Sequence, residues 1–323
     1  MQDFLSHAIR QFPVGITSAF AYGSGVFQQN NNKPAKDNMI DLIFIVDNPA
    51  LWHKMNLERH PEHYSFIKNF GPKFLAKMQT DYGASVYFNT LVNFEDRVIK
   101  YGVIAQDNLI DDLRNWKTLY VSGRLHKPVL ISEEFLTEPL KSEYYGNLAS
   151  AVNVSLLMLP EKFHEIDLYM AITSLSYTGD FRMTFGEDKY KVSNIVVPNR
   201  KEFSSLYKPT LNDSKSLQFN NSLWIQDVSP QGRLRLLKSL PSNLQEKFRL
   251  FANIKTFDES DSNCRILTED SKRCELLVKK SVASIVRSSS ITQSIKGILT
   301  AGVSKSVLYS LAKVRKMLKS IVK

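Results

Sequence analysis

Residues 19–49, AFAYGSGVFQQNNNKPAKDNMIDLIFIVDNP, join an aromatic segment to a strongly apolar one across a glycine–serine turn and a polar interval. Residues 16–27 are rich in residues that favour strands, and they predict a strand that ends at Gly23, because Gly23 and Gly25 indicate a turn. Residues 39–46 predict a central strand, since apolar side chains occupy both of its faces. One carboxylate, Asp41, interrupts this apolar run. A buried carboxylate is costly without a partner, so its position indicates either a bound metal ion or a structural ion pair.

The rest of the first third of the chain predicts a small mixed sheet flanked by helices. Residues 48–83 predict helical segments broken at Pro61 and Gly71, and residues 84–105 predict two strands that form a hairpin. Together with the two opening strands, these elements predict an α+β first domain over residues 1–120.

Residues 121–240 predict a second, mainly helical domain. Two helices separated at Pro160 are predicted over residues 140–177. Residues 178–199 then predict a loop and two short strands around a glycine turn. Residues 241–275 are polar and predict a linker.

The positive charge of the chain is concentrated at one end. The chain has 323 residues, with 42 lysines and arginines against 32 aspartates and glutamates. From residue 276 onward ten residues are basic and none is acidic, so residues 1–275 carry no net charge. Enzymes that act on nucleic acids more often carry their basic excess around the active-site groove, so this distribution disfavours a nucleic-acid partner. The two cysteines form neither a disulfide framework nor a zinc motif, which favours a reducing compartment.

The basic segment 276–323 predicts an amphipathic helix that lies in the surface of an anionic membrane. Its side chains fall into two sets on a helical wheel, apolar Val307, Leu311 and Leu318 on one side and basic Lys313 and Lys316 on the other. The apolar side would enter the acyl boundary, while the cations would contact anionic headgroups. The alternative is a helix that docks on the body of the protein or on a partner.

The glycine–serine turn has the chemistry of a phosphate-binding site. Such a turn presents backbone N–H groups and a hydroxyl to an anion, and a carboxylate on the next strand can hold Mg²⁺ against the same phosphates. With Tyr22, Gly23, Ser24 and Gly25 as nucleotide-binding residues and Asp41 as metal ligand, the arrangement resembles the nucleotidyltransferase superfamily of the DNA polymerase β type. The alternatives are an ordinary strand-ending turn and a structural carboxylate.

Longer motifs indicate a particular family. YGSGVF (22–27) followed by MIDLIFIVDNPALWHKMNLERHPEHYS (39–65) resembles the mitochondrial translocator assembly and maintenance family, the peripheral CDP-diacylglycerol synthases of mitochondria. Further matching segments are YGASVYFN (82–89), IKYGVI (99–104), LYVSGRLHKPV (119–129), LSYTGDFRM (175–183) and GEDKYKVSNIV (186–196). The resemblance covers roughly residues 15–250.

The resemblance implies an Mg²⁺-dependent phosphatidate cytidylyltransferase, which joins CTP to phosphatidic acid to give CDP-diacylglycerol and pyrophosphate. It implies a nucleotidyltransferase domain followed by a winged-helix-like domain. It also implies a peripheral protein on the matrix side of the mitochondrial inner membrane, upstream of cardiolipin. A template-independent RNA nucleotidyltransferase and a non-catalytic membrane-associated assembly factor remain as alternatives.

The metal site is incomplete within the opening stretch. Side chains alternate along a strand, so a second carboxylate on the same face as Asp41 would stand at Met39 or Ile43, and neither is acidic. The other metal ligand must therefore come from elsewhere, and Asp180 is the candidate. An aspartate that caps a turn is the structural alternative for Asp180.

Cations further along the chain complete the hypothesis. Lys189 and Lys191 are expected to neutralise nucleotide phosphates, with Lys189 taking part in catalysis beside Ser24 and Asp41. Arg182 is expected to bind the lipid phosphate, because a guanidinium grips phosphate through two hydrogen bonds. Solvated surface lysines are the structural alternative.

Three histidines lie close together in the sequence. His53, His60 and His63 are expected to be surface or packing residues rather than metal ligands, because Pro61 disrupts the helical spacing of the last two.

Overall fold

The computed structural model describes residues 1–29, 38–132, 137–185, 190–214 and 216–302. The first part of the chain builds a five-stranded sheet with the order β3-β4-β2-β1-β5. Its strands are β1 (Ile16–Tyr22), β2 (Ile40–Val46), β3 (Val86–Phe94), β4 (Arg97–Ala105) and β5 (Leu130–Ile131). β2 and β4 run parallel, and the other neighbouring strands are antiparallel. The predicted mixed sheet in an α+β protein is therefore confirmed.

Strand β2 is the central strand that its sequence predicts. All of its side chains except Asp41 are buried. Leu42 and Phe44 pack against the N-terminal helix on one face, while Ile43 and Ile45 pack on the opposite face against helices from later in the chain. Two covered faces explain the nearly continuous apolar sequence, because a strand with one wet face would alternate.

Four helices surround this sheet: α1 (Gln2–Gln11), α2 (Pro49–Arg59), α3 (Pro72–Asp81) and α4 (Gln106–Asn115). The breaks predicted at Pro61 and Gly71 are confirmed, since two short 3₁₀ helices, Pro61–His63 and Phe66–Phe70, separate α2 from α3. Proline cannot continue a helix because it lacks the N–H group and clashes with the preceding turn. The side chain of Asn48 caps α2 by accepting a hydrogen bond from the Leu51 N–H.

The second part of the chain is mainly helical. Its helices are α5 (Ser122–Leu125), α6 (Leu140–Leu156), α7 (Glu165–Leu175), α8 (Arg182–Phe185), α9 (Lys191–Val196) and α10 (Arg200–Asn212). The predicted break at Pro160 between two helices is confirmed. The two strands predicted within 178–199 are wrong, because α8 and α9 occupy that segment. The valine-rich α9 buries Ile195 and Val196, so packing overrides the strand preference of β-branched residues.

A small hairpin does follow, but later in the chain. Strands β7 (Leu217–Asn220) and β8 (Leu223–Gln226) pair with the two-residue β6 (Lys162–Phe163) in the order β6-β8-β7. Asn221 and Ser222 connect β7 to β8 with positive φ angles of 47° and 69°. Two positive φ angles in a two-residue loop match the twist of paired strands.

The segment 241–275, predicted to be a linker, is packed structure. After α11 (Pro230–Lys238) it contains α12 (Ser242–Ala252) and α13 (Ser262–Glu269) and leads into α14 (Ser271–Ala301). Cys264, Leu267 and Cys274 are buried. The polar residues that indicated a linker include two helix caps, since Asp261 caps α13 and Asp270 caps α14.

The largest of three hydrophobic clusters in the described part of the chain spans the sheet and the later helices. Ile43 and Val86 of the sheet belong to the same buried cluster as Leu148 of α6 and Val282 of α14. The edge strand β5 also lies beyond residue 120, where the sequence placed the end of the first domain. The described residues therefore pack as one body.

The prediction that the basic segment 276–323 is a membrane-surface helix is wrong for its start, because residues 276–301 belong to α14, which packs on the body. The side chain of Gln293 accepts a hydrogen bond from the Ala84 N–H (2.9 Å) and donates one to the Val86 carbonyl (3.2 Å). The residues predicted to contact a membrane, Val307, Leu311, Lys313, Lys316 and Leu318, lie outside the described residues. Among the described helices, none is both long and apolar enough to cross a bilayer.

Lys296 makes this docking sensitive to pH. Its Nζ is buried and donates to the Gln79 carbonyl at 3.2 Å, and burial lowers the pKa of the amine from 10.5 to about 7. The unfolded chain holds this proton more tightly, so stability should rise as pH increases from 7 toward 10.5 and should be lowest below pH 7. Between pH 7 and pH 9 we expect a gain of about 2 kcal/mol in the free energy of unfolding.

Urea unfolding of the wild type and of Lys296→Met at these two pH values tests this expectation. The methionine variant should lack the part of the pH dependence due to Lys296, and an identical pH dependence in both proteins would contradict the assignment. Arg287→Met, which removes an exposed cation from the same helix, is the matched control.

Candidate active site

The glycine–serine turn follows β1 directly and packs against the start of β2. Gly23 has a φ angle of +82°, and its carbonyl accepts hydrogen bonds from the N–H groups of Val26 (3.1 Å) and Phe27 (2.9 Å). A Cβ atom on Gly25 would lie 2.6 Å from the Met39 carbonyl oxygen. Both positions therefore favour glycine, one for its backbone angle and the other for its close approach.

Asp41 faces this turn. It pairs with Tyr22 across β1 and β2, and a Cβ atom on Gly23 would lie 3.2 Å from Asp41 Oδ2. The side chain of Asp41 is 22% exposed, so the carboxylate borders the core and still reaches the surface. The structure thus brings together the turn and the carboxylate that the sequence paired.

Lys100 is a site residue that the sequence analysis missed. It stands opposite Asp41 in the parallel register of β2 and β4, and its Nζ lies 3.7 Å from Asp41 Oδ1. The same Nζ lies 4.4 Å from the centre of the Phe88 ring. Asp41 therefore forms an ion pair with Lys100 and also lies beside the glycine–serine turn. A carboxylate and an ammonium group side by side suit a metal ion and a phosphate that bind together.

Arg124 is a second missed residue and brings a permanent positive charge to the site. It lies on the short helix α5, donates to the Tyr120 carbonyl, and stacks 3.9 Å from the centre of the Tyr120 ring and 5.4 Å from that of Tyr22. Burial would lower the pKa of Arg124, but Tyr120, Tyr22 and Asp41 together raise it well above its usual range. The guanidinium is held by aromatic faces near the turn.

Several cations surround Tyr120 and affect the pKa of its phenol. Burial alone would raise the pKa of its phenol, but the charges of Arg124, Arg182 and Lys100 outweigh burial and lower the pKa. Nearby positive charges lower the pKa of a phenol because they favour its ionised form. The region around Tyr120 therefore attracts anions.

Asp180 and Arg182 form a close ion pair. Arg182 Nε lies 3.0 Å from Asp180 Oδ1, and Arg182 Nη2 lies 2.5 Å from Asp180 Oδ2. Burial would raise the pKa of Asp180, but the hydrogen bonds and charge of Arg182 lower it. Both oxygens of the candidate second metal ligand thus contact the candidate lipid-binding residue. In this arrangement Asp180 orients Arg182.

The loop that carries this pair rests on α14. Gly179 has a φ angle of +85°, and a Cβ atom there would lie 2.5 Å from the Ala283 carbonyl oxygen. Only glycine fits so close an approach.

Two more lysines lie in the same region. Lys127 Nζ donates to Ser176 Oγ (2.8 Å), and burial, with the charges of Arg124 and Lys191, holds the pKa of Lys127 well below its usual range. Lys191 Nζ lies 3.5 Å from Gln29 Oε1, just beyond the glycine–serine turn. The structure therefore brings Lys191 near the turn, as expected, whereas Lys189 lies outside the described residues.

The histidines lie apart from this site. His53 is fully buried, and its ring nitrogens lie 2.8 Å from Tyr64 Oη and 2.9 Å from Gln79 Oε1, so its predicted packing role is confirmed. Burial lowers the pKa of His53 to about 4. His60 and His63 have potential ligand atoms near those of Glu62, and their rings stack 4.6 Å apart at an angle of 5°. The ligand atoms of these three residues lie within 4.8 Å of one another, so the expectation that His60 and His63 are not metal ligands stays a prediction.

The mixed sheet, the glycine–serine turn and the surrounding cations define an enzyme that acts on phosphate groups. A family model described as phosphatidate cytidylyltransferase, mitochondrial, matches residues 5–316. The chain belongs to this family of mitochondrial phosphatidate cytidylyltransferases, which confirms the resemblance seen in its motifs.

Several relatives carry the same description along nearly their whole length. The protein from Danio rerio is 47% identical over 318 residues, covering 97% of this chain and 94% of the relative. The protein from Mus musculus is 42% identical, covering 98% and 94%. The protein from Schizosaccharomyces pombe is 40% identical, covering 99% and 85%.

Proposed function

We propose that this protein transfers the cytidylyl group of CTP to phosphatidate, forming CDP-diacylglycerol and releasing pyrophosphate. The names of its relatives state the phosphatidate cytidylyltransferase activity. The observation that carries the proposal onto this chain is the arrangement of Asp41 beside the Gly23–Ser24 turn, with Lys100 in register on the next strand. CDP-diacylglycerol made here would supply cardiolipin synthesis.

The carboxylate of Asp41 fits a magnesium ion. Mg²⁺ is commonly held by one or two carboxylates together with phosphate oxygens and water, so one well-placed aspartate suffices. Glycine at position 23 places no side chain against the Asp41 carboxylate, since a Cβ atom there would lie 3.2 Å from Asp41 Oδ2. When bound, the ion would neutralise charge on the triphosphate. Asp41 would hold it, and Asp180, whose two oxygens already contact Arg182, would be a weaker second ligand.

The nucleotide would bind along the turn. Backbone N–H groups at Gly23 and Gly25 and the hydroxyl of Ser24 would contact its phosphates, with Tyr22 beside them. Lys100, Arg124 and Lys191, with Lys189, would balance the negative charge that shifts toward the departing pyrophosphate. These groups stabilise charge and position the triphosphate.

The attacking group would be a phosphate oxygen of phosphatidate. This oxygen is already ionised near neutral pH, so the step requires no general base. It forms a bond to the α-phosphorus of CTP while the bond from that phosphorus to the pyrophosphate oxygen breaks. Arg182, held in place by Asp180, would position the lipid phosphate.

A lipid-transfer assay tests this function. Purified full-length protein is incubated with Mg²⁺, labelled CTP and vesicles that contain phosphatidate, and in parallel with RNA. We expect the label in the lipid phase and stoichiometric pyrophosphate. Label in RNA, or no transfer by a folded protein, would reject the proposal in favour of an RNA nucleotidyltransferase or an assembly factor.

We further propose a peripheral location on the matrix side of the mitochondrial inner membrane. Phosphatidate resides in a bilayer, and the residues that would contact the membrane are Val307, Leu311 and Leu318 with Lys313 and Lys316. Their apolar and basic character suits insertion into an anionic surface.

A chain that ends at Gly302 separates membrane binding from nucleotide binding. Because α14 is packed through Thr300, removing residues 303–323 spares the docked helix. We expect at least about a tenfold loss of affinity for anionic vesicles. Calorimetry should give an unchanged affinity for Mg²⁺ and CTP, and a parallel loss of CTP binding would contradict this division of roles. Val307→Ser/Leu311→Ser, which leaves the positive charge unchanged and removes apolar area, should also weaken binding to the vesicles.

A further inference from the structure

Aromatic side chains stand exposed where the chain turns from α2 into α3. Phe66 is 58% exposed and Phe70 is 63% exposed, both on the second 3₁₀ helix, and the ring of Phe70 packs 5.0 Å from that of Phe74 on α3. Folded monomers rarely leave several large apolar side chains in water at one place without a binding role.

The last turns of α14 add an aliphatic row. Ile291, Ile295 and Ile298 follow helical spacing along the outer face, and Ile295 is 58% exposed. The inner face of the same turns is polar and buried, since Gln293 and Lys296 bond to the body. The helix therefore directs its apolar residues outward, which is the reverse of an ordinary surface helix.

One hydrogen bond joins the two sets. Ser65 Oγ donates to the Leu299 carbonyl at 3.0 Å, and a Cβ atom on Gly302 would lie 3.4 Å from Ser65 Cβ. Phe66 follows Ser65 directly, so the aromatic set and the end of α14 meet at this point. We call the residues Phe66, Phe70, Ile295 and Ile298 the outer apolar surface.

Lysines predominate around this surface, although exposed Glu62 and Asp81 lie at either end of the segment 63–80. Residues 63–80 contain Lys68, Lys73 and Lys77 and no acidic residue, and the chain has no acidic residue after Glu275. Lys73 and Lys77 are exposed. Apolar side chains that penetrate an acyl boundary and lysines that meet headgroups are the combination that binds anionic bilayers. Gly302, the residue before the basic segment 303–323, lies at the same place.

We propose that the outer apolar surface is a lipid-contact surface that seats the body of the protein on an anionic bilayer. Phe66, Phe70, Ile295 and Ile298 enter the headgroup and acyl boundary, and Lys73 and Lys77 contact anionic headgroups. This surface belongs to the folded body and acts in addition to residues 303–323. It does not depend on recognition of phosphatidate.

Site-directed fluorescence tests where the bilayer lies. Both native cysteines are buried, so an environment-sensitive label would enter at an introduced cysteine. Full-length Phe70→Cys, Ile298→Cys and the control Phe219→Cys are each mixed with phosphatidylcholine vesicles, with or without phosphatidylglycerol. Emission should shift to the blue at 70 and 298 when phosphatidylglycerol is present, and should not change at 219. No shift at 70 and 298 would overturn the proposal.

Vesicle sedimentation gives the strength of binding. Phe66→Ser/Phe70→Ser and Ile295→Ser/Ile298→Ser should each bind phosphatidylglycerol vesicles at least about tenfold more weakly than the wild type. Phe219→Ser/Leu250→Ser, which removes two equally exposed apolar residues elsewhere, should bind normally. Equal binding by all three would overturn the proposal. Transfer to a water-soluble short-chain phosphatidate should remain unchanged, which separates this inference from the proposed activity.

If something other than a bilayer covers the outer apolar surface, the experiments give different results. If a second copy of the chain covers the surface, sedimentation equilibrium without vesicles will show dimers that Phe66→Ser/Phe70→Ser converts to monomers. If residues 303–323 cover it, the label at 70 will be shielded before vesicles are added and exposed in the chain that ends at Gly302. Either result would overturn the lipid-contact assignment.

Discussion

Asp41→Asn should lower kcat of cytidylyl transfer by at least about a thousandfold while the protein remains folded. Asparagine keeps the shape of the side chain but removes the charge that would hold Mg²⁺ beside the Gly23–Ser24 turn. The substitution also leaves Lys100, 3.7 Å away, without its carboxylate partner. Both partners of that pair are partly exposed, so the effect on stability should be small compared with the effect on turnover.

Two measurements separate a metal ligand from a structural carboxylate. Electron paramagnetic resonance of Mn²⁺ with the protein and a non-reactive CTP analogue should show tight binding in the wild type and weak binding in Asp41→Asn. The melting temperature should stay close to that of the wild type. Asp47→Asn, one residue beyond the same strand, is the matched control and should retain activity and Mn²⁺ binding. A large drop in melting temperature with unchanged Mn²⁺ binding would assign Asp41 a purely structural role.

Arg124→Gln should lower kcat/KM by about a hundredfold to a thousandfold, the range seen when one preorganised donor to developing charge is removed. The guanidinium is held against Tyr120 and Tyr22 and contributes to the positive potential around the turn. Arg124→Lys keeps the charge but loses the planar fork, so its loss should be intermediate.

The control for this substitution is Arg114→Gln. Arg114 pairs with Glu143 on the surface, and it should be dispensable for transfer. The direct readout is the CTP affinity of each variant together with the rise in the pKa of Tyr120 that loss of Arg124 should cause. If kcat/KM of Arg124→Gln stays within about threefold of the wild type, Arg124 is no part of the phosphate site.

The turn and the strand carboxylate could be predicted because both are local features. Gly23 and Ser24 follow β1 directly and Asp41 lies on β2, the next strand of the chain, so a pattern within one strand–turn–strand unit indicates their relation. Lys100 gives a similar local signal, since it too is a charged residue inside an apolar strand. Its position beside Asp41, however, could not be predicted. Its register opposite Asp41 depends on parallel pairing between strands far apart in sequence, and the pattern of one strand does not reveal its neighbour.

Other features depended on tertiary packing. Arg124 reaches the turn only because α5 packs there, and a lone arginine in SGRL has no sequence signal for that position. The β-branched residues of α9 predicted a strand, but burial of Ile195 and Val196 against the helical part favours the helix. The docking of the last turns of α14 was hidden because their buried residues are Ser289, Ser290, Gln293, Lys296 and Thr300, while Ile295 and Ile298 are exposed.

Gly179 packs closely against α14, and this contact limits the orientations in which the protein can bind a membrane. Ala283, which meets the Arg182 loop, and Ile298, at the proposed lipid-contact end, are separated by about 22 Å along the helix axis. If α14 stood perpendicular to the bilayer, Arg182 would be held far above a phosphate that remains in its leaflet. Only a helix lying nearly flat keeps the loop at headgroup height. With that tilt, the lipid phosphate that we propose Arg182 binds would stay in its monolayer throughout the transfer.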